Sequence, residues 1–411
     1  MHSYKTLAAA ALAACCGAAS AGPLVWISLD TDAYALLTER NARMANAEHL
    51  PMVVADRQTQ VVLTQVDADA LEQLSADVHE RLHRCGGFIV HANAAEGRQA
   101  VARARAVALS PNGLLANAAA PSYALDDGAE VNAMLPLVQE SEIRATINQL
   151  TSYNNRYYKS KPGTKAATDL ATRWQQMAAG RSDITVETVT HVGYPQKSVV
   201  MTVRGTTTPD DIVVIGGHLD SVNWQSLNQK KARAPGADDN ASGIATLTEV
   251  ARVMLQSGYH PKRTLQFMAY AAEEVGLKGS ADIANQWRLA GKQVVGVMQL
   301  DMTNFQGSAY DINLINDYTN AAQNTFLSNI ATTYLPTLSV TQGACGYACS
   351  DHASWTSNGY AASFPFEAPM GQDNQAIHTK NDTLAKSGGN ADHAAKFARL
   401  ALAYAIELGS D

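Results

Sequence analysis

Apolar positions follow two patterns along the chain. From Gly22 to about Leu109 the apolar runs are short. Leu24 to Leu29 and Val61 to Val66 read as strands, and Phe88 to His91 as another. Leu71, Leu74, Val78 and Leu82 recur at helical spacing behind Asp69, an N-cap residue type. These predict a small α+β unit. From about Val131 strands alternate with helices. Ile143, Ile147 and Leu150 share a helix face, and Asp211 to Ile215 is an apolar strand ended by Gly216-Gly217. Ile244 to Leu255 follows as a helix behind Ser242-Gly243. Leu265 to Ala271 and Val294 to Leu300 are strands, the second ending at Asp301. Asp311 to Ile315 and Ala362 to Phe366 are two more, and Ala394 to Leu408 closes the chain as an amphipathic helix. Buried strands spaced by helices predict an α/β fold, a three-layer sandwich with a mixed, largely parallel central sheet.

Between the two patterns, Ser110 to Glu130 carries Pro111, Gly113, an alanine run, Pro121 and Asp126-Asp127-Gly128, which is linker chemistry. At the amino terminus Lys5 precedes the apolar stretch Leu7 to Ala14 and the small-residue tripeptide Ala19-Ser20-Ala21. That is the layout of an export signal cleaved after Ala21. Leu12-Ala13-Ala14-Cys15 also resembles a lipobox, so a lipid anchor on Cys15 stays open beside soluble secretion. The expected division is 1–21 signal peptide, 22–128 propeptide and linker, and 129–411 the domain that carries the chemistry.

Composition narrows the class. With 31 basic and 38 acidic side chains in 411 residues, the net charge of −7 argues against a nucleic-acid partner. No window reaches the roughly 18 apolar residues of a membrane span. A monomer is expected.

Candidate metal ligands sit just past the strands. His218 and Asp220 follow the first, Asp238 and Asp239 precede a helix, Glu273 and Glu274 follow the strand ending at Ala271, and Asp301 ends the next. His378 lies near the C terminus. Each has an ordinary reading alone: a satisfied turn, a helix cap or a solvated loop. Together, at the strand ends where such sheets bind ligands, they point to a catalytic zinc site built from imidazole and carboxylate. His79 and His83, four apart on the N-terminal helix, could form a metal pair but, with no carboxylate or cysteine cluster joining them, read as solvated-face residues, and Cys85 as a free thiol.

Six segments carry a resemblance. They are Gly216 to Ser221, Ala234 to Asp239, Tyr270 to Ser280, Gln299 to Asn304, Cys345 to His352 and His378 to Thr383. In order and spacing, from about Val131 onward, they resemble secreted bacterial leucyl aminopeptidases of the co-catalytic di-zinc family. The resemblance implies two zincs per chain. Asp239 would bridge them, with His218 and Asp301 completing one site and Glu274 and His378 the other. Glu273 would be the general base and acid, and Asp220 the partner that orients His218. The substrates would be peptides with a free N terminus, losing an apolar, leucine-like residue. A removable propeptide fits the N-terminal unit.

The resemblance also implies an apolar pocket from Met302, Ile315, Tyr347, Cys349, Phe366 and Ile377, beside a disulfide between Cys345 and Cys349. A metal pair is the alternative for those two cysteines. Ala368 to Ala376 contains no aromatic, a departure from the family that suggests a wider or more polar rim. His352 is expected to hydrogen-bond rather than ligate. Rival readings are a carboxypeptidase or glutaminyl cyclase on the same fold, and a non-catalytic binding protein. No Arg falls in the pocket motifs to meet a substrate carboxylate, which counts against the first.

Overall fold

The computed structural model describes residues 23–43, 54–56, 61–109 and 123–410. The expected export signal with Cys15, and residues 110–122 of the linker, lie outside the described residues. The central strand, Thr208–His218, has parallel partners on both sides, Arg263–Tyr270 and Gln293–Gln299. Its side chains alternate between two apolar layers. Val213 and Ile215 pack with helices Ala241–Gln256 and Asp392–Gly409 on one face. Ile212 and Val214 pack on the other with Ile283 and Ala284 of helix Lys278–Leu289 and with Trp355. A strand covered on both faces needs no polar alternation, which is why it reads as a continuous apolar run.

The sheet has six strands in the order Ala362–Ser363, Gln293–Gln299, Thr208–His218, Arg263–Tyr270, Ser198–Val203, Ile184–Val189. The first four are parallel, and Ser198–Val203 runs antiparallel to both of its neighbours. Fold class is therefore the expected α/β sandwich with a mixed sheet. The antiparallel pair was not predicted. Its outer strand, ITVETV, is half polar and largely exposed, as an edge strand can be.

Local expectations differ from the structure at four places. Gly216 and Gly217 do not end the central strand but lie within it. An added Cβ at Gly216 would strike the Tyr270 ring, and one at Gly217 would lie 2.7 Å from the Leu300 carbonyl. Close packing, not a turn, excludes side chains there. Asp67, not Asp69, caps the start of the N-terminal helix region, accepting the Asp69 N–H at 2.8 Å. Ile312–Ile315 leaves the main sheet and pairs with Val340–Gly343 and Pro365–Phe366 in a small second sheet. Consequently Ala362 to Phe366 is two strands in two sheets. Pro365 has no N–H to continue the first ladder.

The N-terminal unit is a four-stranded antiparallel sheet in the order Val54–Asp56, Val61–Asp67, Leu24–Asp30, Phe88–His91. Helix Leu71–Leu82 covers it through Leu71, Leu74 and Val78. The unit is seated on the larger domain. Glu72 accepts from the Tyr158 hydroxyl and Lys159 Nζ, both at 2.6 Å, and Arg103 Nε donates to the Ser357 carbonyl at 2.8 Å. Ile89 packs with Leu277, Ala348 and Ala353. Among the described residues no helix is long and apolar enough to cross a membrane.

Candidate active site

Parallel strands deliver their carboxyl ends to one side of a sheet, and the candidate ligands gather there. His218 is the last residue of the central strand. Glu273 and Glu274 form a 3-10 turn just past Tyr270. Asp301 lies two residues beyond Gln299. Asp239 precedes helix Ala241–Gln256. That helix is capped not by an aspartate but by Asn240, whose side chain accepts the Gly243 N–H at 2.8 Å. Ala272, Met302 and His378 all have φ near +55°. Non-glycine residues at such φ cost of order 1–3 kcal/mol each and tend to cluster at functional sites.

Asp239 faces both imidazoles. Its Oδ1 lies 2.9 Å from His218 Nε2, and its Oδ2 lies 2.9 Å from His378 Nε2. Asp301 Oδ1 is 3.3 Å from His218 Nε2, and Glu274 Oε2 is 2.9 Å from His378 Nε2. Asp220 stands 3.5 Å from His218 Nδ1 and accepts the backbone N–H groups of Glu273 and Glu274 at 3.0 and 3.3 Å. All of these residues are buried, at 0–5% exposure, so water screens none of them appreciably.

Electrostatics sharpen the picture. Burial works against the Asp239 carboxylate, yet His218 and His378 outweigh it and hold its pKa below the usual range. Burial pushes Glu274 up to about 7, with Asp239 adding to the rise and His378 opposing it. Glu273 is driven well above its ordinary value, chiefly by burial. So many buried acids are costly without cations. Despite these close contacts, His218 Nδ1, Asp239 Oδ2, Glu274 Oε1 and Asp301 Oδ1 take no hydrogen bond. His218, Asp239 and Asp301 each present a ligand atom within 4.8 Å of the others. Orphaned carboxylate oxygens beside two imidazoles fit a divalent metal, and the donor types suit zinc.

Supporting residues were missed by sequence reasoning. Asp382 accepts the Asp239 N–H at 3.0 Å and the Asp238 N–H at 3.1 Å. It lies inside the His378 to Thr383 motif, so its neighbourhood was marked but not its part. Asp238 accepts from Asn304 N at 3.0 Å and Asn374 Nδ2 at 3.1 Å, tying two loops together. Ser350 Oγ donates to Asp301 Oδ2 at 2.6 Å. Fully buried Arg156 donates to the carbonyls of Leu219, Pro235 and Gly236, between 2.6 and 2.9 Å, and so joins the two ligand loops from below. Nothing local in the sequence marks it.

Met302, Ile315, Tyr347, Cys349, Phe366 and Ile377 form one buried cluster with Phe364. Cys345 and Cys349 are joined by a disulfide, their Cα atoms 6.2 Å apart. His352 Nε2 lies 3.1 Å from the Asp317 carbonyl and takes part in no metal cluster among the described residues. Gln372 to Ala376 line a cleft of about 580 Å³ together with Phe305 and Lys386. His79 corrects the solvated-face reading. It is half-buried, and its Nδ1 lies 2.9 Å from His378 Nδ1, because the whole N-terminal helix turns that face onto the site. His83, one turn on, is exposed as expected.

A sheet whose strand ends gather imidazoles and carboxylates in a buried cluster fits a metal-dependent enzyme. Residues 198–405 match the model of Peptidase family M28, and the chain belongs to that family, whose members are hydrolases acting on peptides. A probable aminopeptidase of Saccharomyces cerevisiae is 36% identical over 281 residues, 66% of this chain and 74% of that one. A probable leucine aminopeptidase of Arthroderma benhamiae is 35% identical over 284 residues, 68% and 76% of the two chains. The solved LapA aminopeptidase of Legionella pneumophila aligns with 95% of this chain and 99% of its own, at 27% identity and a TM-score of 0.76. The Saccharomyces and Arthroderma relatives are fungal, so they do not bear out the likeness to bacterial enzymes in particular.

Proposed function

We propose that the chain is a zinc aminopeptidase that removes apolar, leucine-like residues from peptides with a free N terminus. Its catalytic domain is 129–411. Residues 1–21 direct export and 22–128 form a removable propeptide and linker. The observation that carries this reading is the Asp239 carboxylate, which offers one oxygen toward each imidazole. Asp239 would hold two zincs, with His218 and Asp301 as the further ligands of one and Glu274 and His378 of the other. When bound, zinc supplies Lewis acidity and acidifies water.

The chain's own residues do the rest. Glu273 takes a proton from the attacking water and returns it to the leaving amine. Asp220 fixes the Glu273–Glu274 turn through two backbone N–H groups and stands behind His218, which sets the imidazole's orientation. The Met302, Ile315, Tyr347, Cys349, Phe366 and Ile377 cluster receives the apolar side chain.

The test is hydrolysis of a leucine anilide by the purified protein, before and after limited proteolysis in the 110–128 segment. Cleavage is expected to stop with a chelator, return with zinc, and be absent on an N-acylated analogue. Cleavage that survives chelation, or that accepts the blocked substrate equally, overturns the reading.

A further inference from the structure

The segment Arg84 to Gly87, between the N-terminal helix and strand Phe88–His91, lies across the metal-fitting cluster. Cys85 Sγ is 3.8 Å from His378 Nε2. That nitrogen is the one facing Asp239 and Glu274, so the thiol stands on the ligand side of the imidazole, not behind it. Cys85, Asp239 and His378 each present a ligand atom within 4.8 Å of the others. Independently, Glu274 Oε1 is buried, accepts no hydrogen bond and belongs to the same cluster.

The surroundings hold Cys85 in place. The Arg84 guanidinium lies 4.0 Å from the centre of the Tyr347 ring, and its Nη2 donates to Asp30 at 2.6 Å. Gly87, at φ +63°, passes so close to the same ring that any Cβ would strike it. Cys85 packs against the cluster of Met302, Tyr347 and Phe366. Behind His378, His79 takes up the far ring nitrogen at 2.9 Å. One helix end and the turn after it thus grip both sides of a single imidazole.

We propose that Cys85 is a further metal ligand in the intact chain, its thiolate occupying the position that a substrate amine would need at the ion held by Asp239, Glu274 and His378. Zinc readily adds sulfur to nitrogen and oxygen donors, and the thiolate is the binding form. On ligation the thiol gives its proton to solvent and one water leaves the ion; no electrons are transferred. Departure of the N-terminal unit reverses both changes. The intact chain is therefore latent through one coordinate bond as well as through the covered pocket. This inference rests on the proposed zinc centre.

The test loads the intact chain with cobalt(II) in place of zinc. A sulfur-to-cobalt charge-transfer band in the near ultraviolet is expected for the wild type. It should be absent in Cys85→Ser and Cys85→Ala, and should disappear when the N-terminal unit is cut away. In the unmutated chain, alkylation of Cys85 by iodoacetamide should be about tenfold or more faster after chelation than with metal bound. Cobalt bound at the expected stoichiometry without the band, or alkylation indifferent to metal, overturns Cys85 as a ligand and leaves the metal centre standing. Failure of the intact chain and both variants to bind cobalt overturns the metal centre and this inference together.

Discussion

The carboxylate of Asp382 accepts the backbone N–H of Asp239 at 3.0 Å. Asp382 also accepts the Asp238 N–H, so it orients the loop that carries the proposed bridging ligand without belonging to the ligand set. Outer hydrogen bonds of this kind typically contribute 10- to 100-fold in metal affinity. Asp382→Ala is expected to weaken zinc binding by about that range. Asp382→Asn, which keeps one acceptor oxygen, should lose less. Zinc titration against a competing chelator measures both. Equal affinity in Asp382→Ala and wild type would show that Asp239 is positioned without it.

Glu273 is placed in proton transfer and outside the ligand set. Glu273→Gln is expected to keep the zinc content of the wild type while kcat falls by about two to four orders of magnitude. Metal analysis and turnover of a leucine anilide, made on the same sample, separate the two effects. Near-normal kcat removes Glu273 from its role, and loss of zinc makes it a ligand instead.

Phe366 sits in the apolar cluster beside the site, bonded to neither ligand loop. A truncation there enlarges the pocket. In the processed enzyme, Phe366→Ala should lower the ratio of kcat/KM for leucine over alanine substrates by about 10- to 100-fold. Any general loss of stability cancels in that ratio, so an unchanged ratio places the pocket elsewhere.

His352 gives a pH dependence. Burial holds its pKa down to about 3 from an ordinary 6.5. The folded ring stays neutral with its Nε2 facing the Asp317 carbonyl, whereas the unfolded chain takes up a proton near 6.5. Its contribution to stability is thus complete above the unfolded value and is lost as pH falls from 6.5 toward about 3. His352→Gln is expected to flatten this acid limb by about 1.4 kcal/mol per pH unit. Denaturant unfolding at about pH 7 and about pH 4 compares the two proteins. An acid limb identical to the wild type would mean that other groups carry it.

Local pattern alone determined the four parallel strand runs, the covering helices and the side chains that could ligate. A strand buried on both faces leaves a continuous apolar run, and metal chemistry demands particular residue types at strand ends. Tertiary structure alone decided the rest. The antiparallel edge is half polar and so leaves a weak periodic trace. The switch of Ala362 to Phe366 between two sheets depends on distant partners. Arg156 works through carbonyls more than sixty residues away and has no signature in its own neighbourhood, whereas Asp382 lies in a marked motif but works through backbone N–H groups more than 140 residues away. The approach of Cys85 to His378 spans 293 residues and exists only once the N-terminal unit has docked. Periodicity records which face of an element is buried. It carries no information about which two surfaces meet.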